Sequence, residues 1–168
     1  RCNYNRAKWC NPCYSLIMPV TINGNGTVTG LTALPDSAMS SGSIIQEVST
    51  TKTDVYSTNS LASGAIDSND AMSLFITPTN ASNKILIAIN CSLGYSSTNR
   101  MYVTLYKAGS VLTGSVGDAD GNKQRVSFVS GVNAASIGNN VAGTYEDTAG
   151  STSAITYSVR LSHGGSST

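Results

Sequence analysis

Charge is scarce in this chain, and histidine is nearly absent. Only 11% of the 168 residues are charged, the formal net charge is +1, and His163 is the single histidine. No basic field exists to hold a phosphate backbone, so nucleic acid is not expected as a partner. A Ser/His/Asp triad would depend on His163, which lies in a Gly/Ser-rich stretch where nothing in the sequence fixes its orientation. We therefore expect a protein that is not an enzyme.

Long hydrophobic runs are missing as well. The longest candidate covers residues 14–20 and is interrupted by Pro19, whereas a membrane-spanning helix needs roughly 20 apolar residues. No membrane partner is expected. A length of 168 residues fits one ordinary domain, or one domain with an arm, and is enough to bury a hydrophobic core.

Cysteine is rare, and three of the four cysteines lie close together. Cys10 and Cys13 have the spacing with which two thiolates share one zinc ion, and Cys2 could add a third ligand. The fourth ligand would have to be His163 or Cys91, and Cys91 is in phase with a run of isoleucines that predicts a reduced core thiol. A Cys10–Cys13 disulfide would close a very small loop, and a redox motif of this spacing normally opens a helix in a βαβ setting. We expect no metal and no cofactor.

Residues 1–17 differ in composition from the rest of the chain. They carry those three cysteines, the only tryptophan and a basic trio of Arg1, Arg6 and Lys8. From Met18 onward the sequence is rich in Ser, Thr and Gly. We interpret residues 1–17 as an atypical extension, expected to be a mobile tail, upstream of a natural start at Met18.

Paired carboxylates occur in residues 117–123, which read Gly-Asp-Ala-Asp-Gly-Asn-Lys. Asp118 and Asp120 are spaced as in a calcium loop, but the glycine falls at the fourth position instead of the sixth, and no glutamate follows at the bidentate position. A hairpin turn with Asp-Gly chemistry is the expected structure. Gly24-Asn25-Gly26 lacks the lysine and the following helix of a phosphate loop.

The chain does contain segments in which apolar residues occur at every second position, as in a β-strand. In residues 84–93, one face carries Ile85, Ile87, Ile89, Cys91 and Leu93, and the other carries Leu86, Ala88, Asn90 and Ser92. Turn-forming residues separate eight such segments, which are residues 44–56, 71–77, 84–93, 101–107, 111–116, 124–132, 141–146 and 154–161. Short strands at this spacing predict an all-β fold, an antiparallel jelly roll or β-sandwich.

The segment that precedes these strands predicts an extended arm. Residues 18–43 contain short extended pieces broken by glycines and Pro35, with too few apolar residues to form a core. Such an arm must lie on something else. The predicted organisation is therefore an extension (1–17), an attachment arm (18–43) and a β-domain (44–168).

Two tyrosines point to a contact surface. Tyr102 and Tyr106 alternate with Met101, Val103 and Leu105 and so face away from the predicted core. An outward pair of tyrosines often marks an interface, although tyrosine also simply favours strands. If the pair is functional, it predicts packing against further copies of the chain in a symmetric oligomer.

Several segments together resemble a known family. They are Thr21-Ile22-Asn23-Gly24-Asn25-Gly26-Thr27-Val28-Thr29-Gly30-Leu31, Gly42-Ser43-Ile44-Ile45-Gln46, Thr77-Pro78 followed by Ser82-Asn83-Lys84-Ile85-Leu86, and Gly117-Asp118-Ala119. Over about residues 18–161, the chain is similar to small virion surface proteins, fibre heads or capsid decorations, of marine and cyanobacterial tailed phages. The resemblance implies a virion-surface location, an arm bound to a capsid or tail protein, and an outward jelly roll, often trimeric. Its motifs are structural and do not distinguish capsid from tail.

The chain departs from that family at both ends. Family members continue past the equivalent of residues 162–168 into further strands, so we expect the last strands of the roll to be missing or supplied by a neighbour. The cysteine-bearing residues 1–17 have no recognised counterpart.

The leading interpretation is a non-enzymatic phage virion protein that forms a capsid decoration or a short fibre, anchored through its arm. One alternative is a receptor-binding tail fibre head that holds host glycans in two loops through side-chain hydrogen bonds, the candidate residues being Tyr95, Asn99, Arg100, Asn139 and Asn140. Another alternative is a secreted bacterial adhesin or filament subunit, with a disulfide among the first three cysteines.

Overall fold

The computed structural model describes residues 21–22, 28–29, 38–40, 42–58, 64–94, 100–130 and 138–164. This part of the chain is built of antiparallel strands, with a short 3-10 helix at Thr113–Ser115, and it confirms the predicted all-β class. The strands are β1 (Thr21–Ile22), β2 (Val28–Thr29), β3 (Met72–Ile76), β4 (Lys84–Gly94), β5 (Met101–Lys107), β6 (Ser110–Val111), β7 (Phe128–Val129), β8 (Gly138–Thr148) and β9 (Ile155–His163).

The chain divides into two compact units, Arg1–Ile45 and Gln46–Thr168. In the first unit β1 and β2 form a short antiparallel pair in which Thr21 lies opposite Thr29. The second unit contains all the remaining strands.

The larger sheet of the second unit is centred on β9 and β5. Its strand order is β3-β9-β5-β6. β6 and β7 both pair with the edge of β5 that faces away from β9, β6 at Tyr106–Lys107 and β7 at Tyr102–Val103. Val103 lies opposite Leu161 across the central pair, and Met72 of β3 lies opposite Val159. Because side chains alternate along a strand, this register places the apolar positions of three strands on one face.

The other sheet is a ribbon of two long strands, β4 and β8. Eleven residue pairs join them, from Lys84 opposite Thr148 to Gly94 opposite Gly138. Their outward positions are exposed and their inward positions are buried or half-buried. The inward Gly143 leaves room for a ring, since a Cβ at this position would collide with Phe128 of β7.

One hydrophobic cluster draws on both sheets. Ile85, Leu93 and Val141 come from the ribbon, whereas the larger sheet supplies most of the rest. Val103 is 0% exposed and Leu105 is 2% exposed. Burying a side chain of this size contributes roughly 1.5–3 kcal/mol. Most of the cluster is therefore anchored on the central strands, which are Met101, Val103 and Leu105 of β5 and Ile155, Tyr157, Val159 and Leu161 of β9.

The prediction of a strand over residues 44–56 was wrong. Residues 43–58 contain no strand, and their apolar side chains are exposed, with Ile44 at 82% and Val55 at 89%. Alternation alone does not make a strand, because the backbone N–H and C=O groups also need a partner strand.

The strand predicted over residues 124–132 is shortened to Phe128–Val129 for a different reason. The hydroxyl of Ser127 accepts the N–H of Leu105 at 3.0 Å, and that of Ser130 accepts the N–H of Met101 at 2.9 Å. Side-chain oxygens thus replace the carbonyls of a regular ladder. The strand predicted over 111–116 is likewise only Ser110–Val111, because the chain then turns into the 3-10 helix.

Candidate functional site

The outer face of the larger sheet carries the predicted tyrosine pair. Tyr102 is half-buried and Tyr106 is only 7% exposed. The guanidinium of Arg160, on the neighbouring β9, lies 4.2 Å from the centre of the Tyr106 ring. Tyr106 therefore faces away from the core as predicted, but the chain itself covers it. Its role in a subunit interface remains a prediction.

Arg160 belongs to a polar group that we call the outer-face cluster, defined as Tyr56, Asp67, Asn69, Asp70, Tyr106 and Arg160. Residues 64–71 run along β9, where the N–H of Asp67 bonds to the carbonyl of Leu161 at 2.8 Å. This pairing brings Asp70 to Arg160, whose Nε lies 2.6 Å from Asp70 Oδ1. The cation is thereby held between a carboxylate and an aromatic ring.

Asp67 is the most buried acid of the outer-face cluster, at 5% exposure. The backbone N–H of Asn69 and the hydroxyl of Tyr56 donate to it, at 3.0 and 2.7 Å. These two hydrogen bonds, with one from Thr58, lower the pKa of Asp67 to about 2. Burial and the bond to Asp67 raise the pKa of Tyr56 to about 12. The arrangement favours, at neutral pH, an ionised carboxylate beside a protonated phenol.

An acid-induced loss of stability follows from Asp67. Its pKa lies below the ordinary 3.8, so its stabilising effect is complete above that value and is lost as the pH falls through the folded pKa, between about pH 5 and pH 2. We expect Asp67→Asn to be less stable than the native chain at pH 7 and to lose less of its melting temperature on acidification. Circular dichroism melts from pH 7 to pH 2 measure this. The exposed Asp118→Asn is the control, and equal acid dependence of all three proteins would contradict the assignment.

A second polar group joins the two sheets. This inter-sheet cluster consists of Lys107 of β5, Asp147 of β8 and Tyr157 of β9. Lys107 Nζ lies 2.7 Å from Asp147 Oδ2, and the Tyr157 hydroxyl donates to the same oxygen at 2.6 Å. Lys107 also donates to the carbonyls of Thr148 and Ala149, at 2.8 and 3.0 Å.

The electrostatics of the inter-sheet cluster favour an ion pair. Burial acts to raise the pKa of Asp147, but the hydrogen bonds from Lys107 and Tyr157 outweigh it, so the pKa is held below its ordinary value. Burial and the bond to Asp147 raise the pKa of the Tyr157 hydroxyl, which stays protonated. Three strands are thus clamped at one end by hydrogen bonds to a single carboxylate.

The residues predicted to face a receptor lie at the opposite end of the strands. β4 ends at Gly94 opposite Gly138 of β8, and Arg100 directly precedes β5. Asn139 and Asn140 were placed in a loop, and this was wrong, because both are strand residues of β8. Asn140 and Arg100 are exposed, whereas Asn139 is half-buried.

Two further predicted residues, Tyr95 and Asn99, lie outside the described residues, as do Cys2, Cys10 and Cys13. His163 was expected in an unstructured end, but it is the last residue of β9 and lies opposite Met101. Its carbonyl accepts the N–H of Gly64 at 2.9 Å. The strand holds its backbone, and its side chain is half-buried.

Acidic, histidine and cysteine side chains are spread apart in the part of the chain that the structure describes. No group of three or more His, Cys, Asp or Glu side chains is placed to hold a metal ion there. In residues 117–123, where the aspartates are spaced as in a calcium loop, Asp120 pairs with Lys123. The N–H of Lys123 also bonds to the carbonyl of Asp120, at 3.1 Å. A turn therefore lies at this position as predicted, but it is not a hairpin, because the flanking strands β6 and β7 both pair with β5 and not with each other.

Comparison with known proteins identifies no relative, since no family model, no curated protein and no solved structure matches the chain. Among the residues described, no helix is both long and apolar enough to span a membrane.

Sequence reasoning missed the two polar clusters. Lys107 and Asp147 are 40 residues apart, and Arg160 and Asp70 are 90 residues apart, so no local spacing indicates either pair. A signal was present in one case, because Asp147 falls on the inward phase of a strand whose other inward residues include Val141 and Tyr145. A charged residue at an inward position indicates a partner across the core.

Proposed function

We propose that the chain is a non-enzymatic structural protein of a phage virion, either a capsid decoration or a short fibre. Its β-domain is exposed on the virion surface, and residues 18–43 attach it to a capsid or tail protein. It acts by burying surface and not by chemistry. The resemblance of residues 18–161 to such proteins supplies the class, and the all-β fold agrees with it.

The observation that carries the proposal is the distribution of exposed apolar side chains. Four of them follow one another in the strandless stretch after the proposed arm, namely Ile44, Ile45, Val48 and Val55. Apolar side chains that the chain itself leaves exposed are available for another protein to cover. By contrast, each of the two polar clusters pairs its own charges. Arg160 pairs with Asp70 in the outer-face cluster, and Lys107 pairs with Asp147 in the inter-sheet cluster.

The finer fold that we propose is a jelly-roll type of β-sandwich. Its support is the shared hydrophobic cluster, to which the larger sheet and the β4–β8 ribbon both contribute inward side chains. The domain is proposed to form the head of a trimer, as the resemblance implies. A jelly roll with incomplete sheets has a physical reason to associate, because unpaired edges and exposed apolar side chains are then covered.

Self-association is the first test of this proposal. We expect residues 18–168 to have a solution mass, by light scattering, that is a multiple of three chains. The exposed apolar stretch provides the variant, since Ile44→Asn/Val55→Asn removes two apolar side chains that the monomer does not bury. A monomer across the accessible concentration range would contradict the trimeric head.

Attachment through the arm is tested separately. Deleting residues 18–43 is expected to abolish binding to empty phage capsids and to leave the melting temperature of the β-domain within a few degrees of the native value. Equal binding of the shortened and the complete chain would contradict the anchoring role.

The loop end of the domain favours a second candidate function, a receptor-binding fibre head. The N–H of Ser130 bonds to the carbonyl of Met101 at 2.8 Å. Ser130, which precedes residues 131–137, and Met101, which follows residues 95–100, therefore lie side by side. Asn140 and Arg100 are exposed at this end. Loss of glycan-array binding in Asn99→Ala or Asn140→Ala, with Asn90→Ala unchanged, would support this function over decoration.

A further inference from the structure

The ribbon of β4 and β8 has a free edge. β4 is eleven residues long, and throughout the described ranges its ladder partner is β8 alone. A strand with one partner leaves the N–H and C=O groups of its other side without ladder bonds. Two-stranded ribbons are marginal by themselves, and at least three strands usually make a stable sheet.

In the described part of the chain β8 also has β4 as its single ladder partner, and burial within the ribbon is incomplete on both strands. Val141 of β8 is 4% exposed, but its direct partner on β4, Cys91, is only half-buried. Ile87 and Ile89 are half-buried too, although Ile85 and Leu93 near the two ends of β4 are each 8% exposed. On β8, Gly143 and Tyr145 are half-buried in the same way. The inward face of the ribbon is therefore incompletely covered along the middle of both strands.

The charge pattern of this edge is unusual for an unpaired strand. Lys84 is the only charged residue of β4, and the ten residues that follow it carry no charge and no proline. Edge strands are normally protected from pairing by charges, prolines or bulges. β8, by comparison, carries Glu146 and Asp147. The edge of β4 is thus built as a pairing surface.

We propose that β4 pairs with β4 of a second copy, antiparallel and centred on Ile89. In this register Ile85 lies opposite Leu93 of the other copy, and Ile87 lies opposite Cys91. The strand is therefore complementary to itself at each inward position. The two Lys84 side chains lie opposite Gly94, about 33 Å apart, so no like charges meet. The ribbons of the two copies become one sheet of four strands.

This pairing goes beyond the virion assignment and does not depend on it. A twofold contact requires an even number of chains, whereas the proposed trimeric head requires a multiple of three. Six chains satisfy both, two chains satisfy only the edge pairing, and three chains satisfy only the head. The two proposals can therefore fail separately.

Paired charges on the outward face of β4 test the proposal. Ala88 and Asn90 are exposed and would lie opposite one another across the twofold axis. Ala88→Lys/Asn90→Lys therefore places like charges face to face, and we expect the dissociation constant to rise by about 100-fold or more. The control, Ala142→Lys/Thr144→Lys, adds the same charges at the paired positions of β8 and is expected to leave the association unchanged. Sedimentation velocity on the full chain measures both.

A rescue experiment separates repulsion from misfolding. Ala88→Glu/Asn90→Glu should also dissociate alone, but an equimolar mixture with the lysine variant should recover the native mass, because opposite charges then face each other. Recovery supports the pairing. A native mass of one or three chains, or a lysine variant that associates as tightly as its control, would overturn it.

The register has its own test in a chain with Cys2, Cys10, Cys13 and Cys91 changed to serine. Ile89→Cys in that background should give a disulfide-linked pair on mild oxidation, since the residue faces its own copy. Tyr145→Cys, on β8, should not. Equal cross-linking of the two variants would overturn the proposed register.

Discussion

Replacing Leu105 by alanine should lower the free energy of unfolding by about 3 kcal/mol, the middle of the range for large-to-small changes in a core. Leu105 is 2% exposed and lies in the middle of β5, between β9 and the short strands on the other edge. The substitution opens a cavity that its fixed neighbours cannot fill. Urea denaturation followed by far-UV circular dichroism gives the unfolding midpoint and the dependence of the unfolding free energy on urea concentration. The change in the free energy of unfolding is calculated from these two values.

Leu86→Ala is the matched control for this prediction. Leu86 is the same residue type, also in a strand, but 69% exposed on the outward face of β4. Its replacement is expected to change stability by less than about 0.5 kcal/mol. Similar losses from both substitutions would mean that the shared cluster of the two sheets is not the main source of stability.

Asp147→Ala should destabilise the domain by a comparable amount, about 3 kcal/mol, because it leaves partly buried polar partners without their common acceptor. Lys107 and the Tyr157 hydroxyl both donate to this carboxylate. The side chains of Lys107 and Asp147 are 26% and 15% exposed, so water can only partly replace the lost contacts. Chemical denaturation of the variant at pH 7 measures the loss.

Glu146→Ala controls for the removal of a negative charge from the same strand. Glu146 is 3.6 Å from Lys84, and both side chains are more than half exposed, at 61% and 63%, so the expected effect is below about 1 kcal/mol. Replacing the whole inter-sheet cluster, as Lys107→Met/Asp147→Leu/Tyr157→Phe, should recover part of the stability, since no donor of the cluster is left without an acceptor. The carbonyls of Thr148 and Ala149 lose their bonds from Lys107 in this variant, so recovery is not complete. If Asp147→Ala cost no more than Glu146→Ala, the clamp between the sheets would be refuted.

Much of the fold was predictable from alternation. The predicted strands 71–77, 84–93, 101–107 and 154–161 correspond to β3, β4, β5 and β9 within two residues at each end. Each of these strands buries one face against the hydrophobic cluster. Apolar residues at every second position of the sequence indicate a strand that is buried on one face. Residues 44–56 show the limit of the method, because they alternate in the same way but contain no strand. The pattern describes a face, whereas a strand also requires a neighbour.

The polar clusters were beyond prediction for a related reason. Tyr157 is on the inward phase of its strand and is 7% exposed, but its hydrogen bond to Asp147 depends on how β8 and β9 come together. Tyr106 was expected to face a partner, yet Arg160 of the adjacent strand covers it. Which side chains meet is decided by strand order and register, and these are set by contacts far apart in the chain.

The order of synthesis gives the ribbon a kinetic consequence. The partner of Lys84 is Thr148 and that of Gly94 is Gly138, so β4 is made long before the strand that pairs with it. At typical rates of synthesis the delay is on the order of seconds. Closing so long a loop is slow, because the chain entropy is lost before the contacts form. During that interval both edges of β4, which carries no charge after Lys84, lack a partner. Nascent chains close together on one message can then associate through β4 before their own β8 exists.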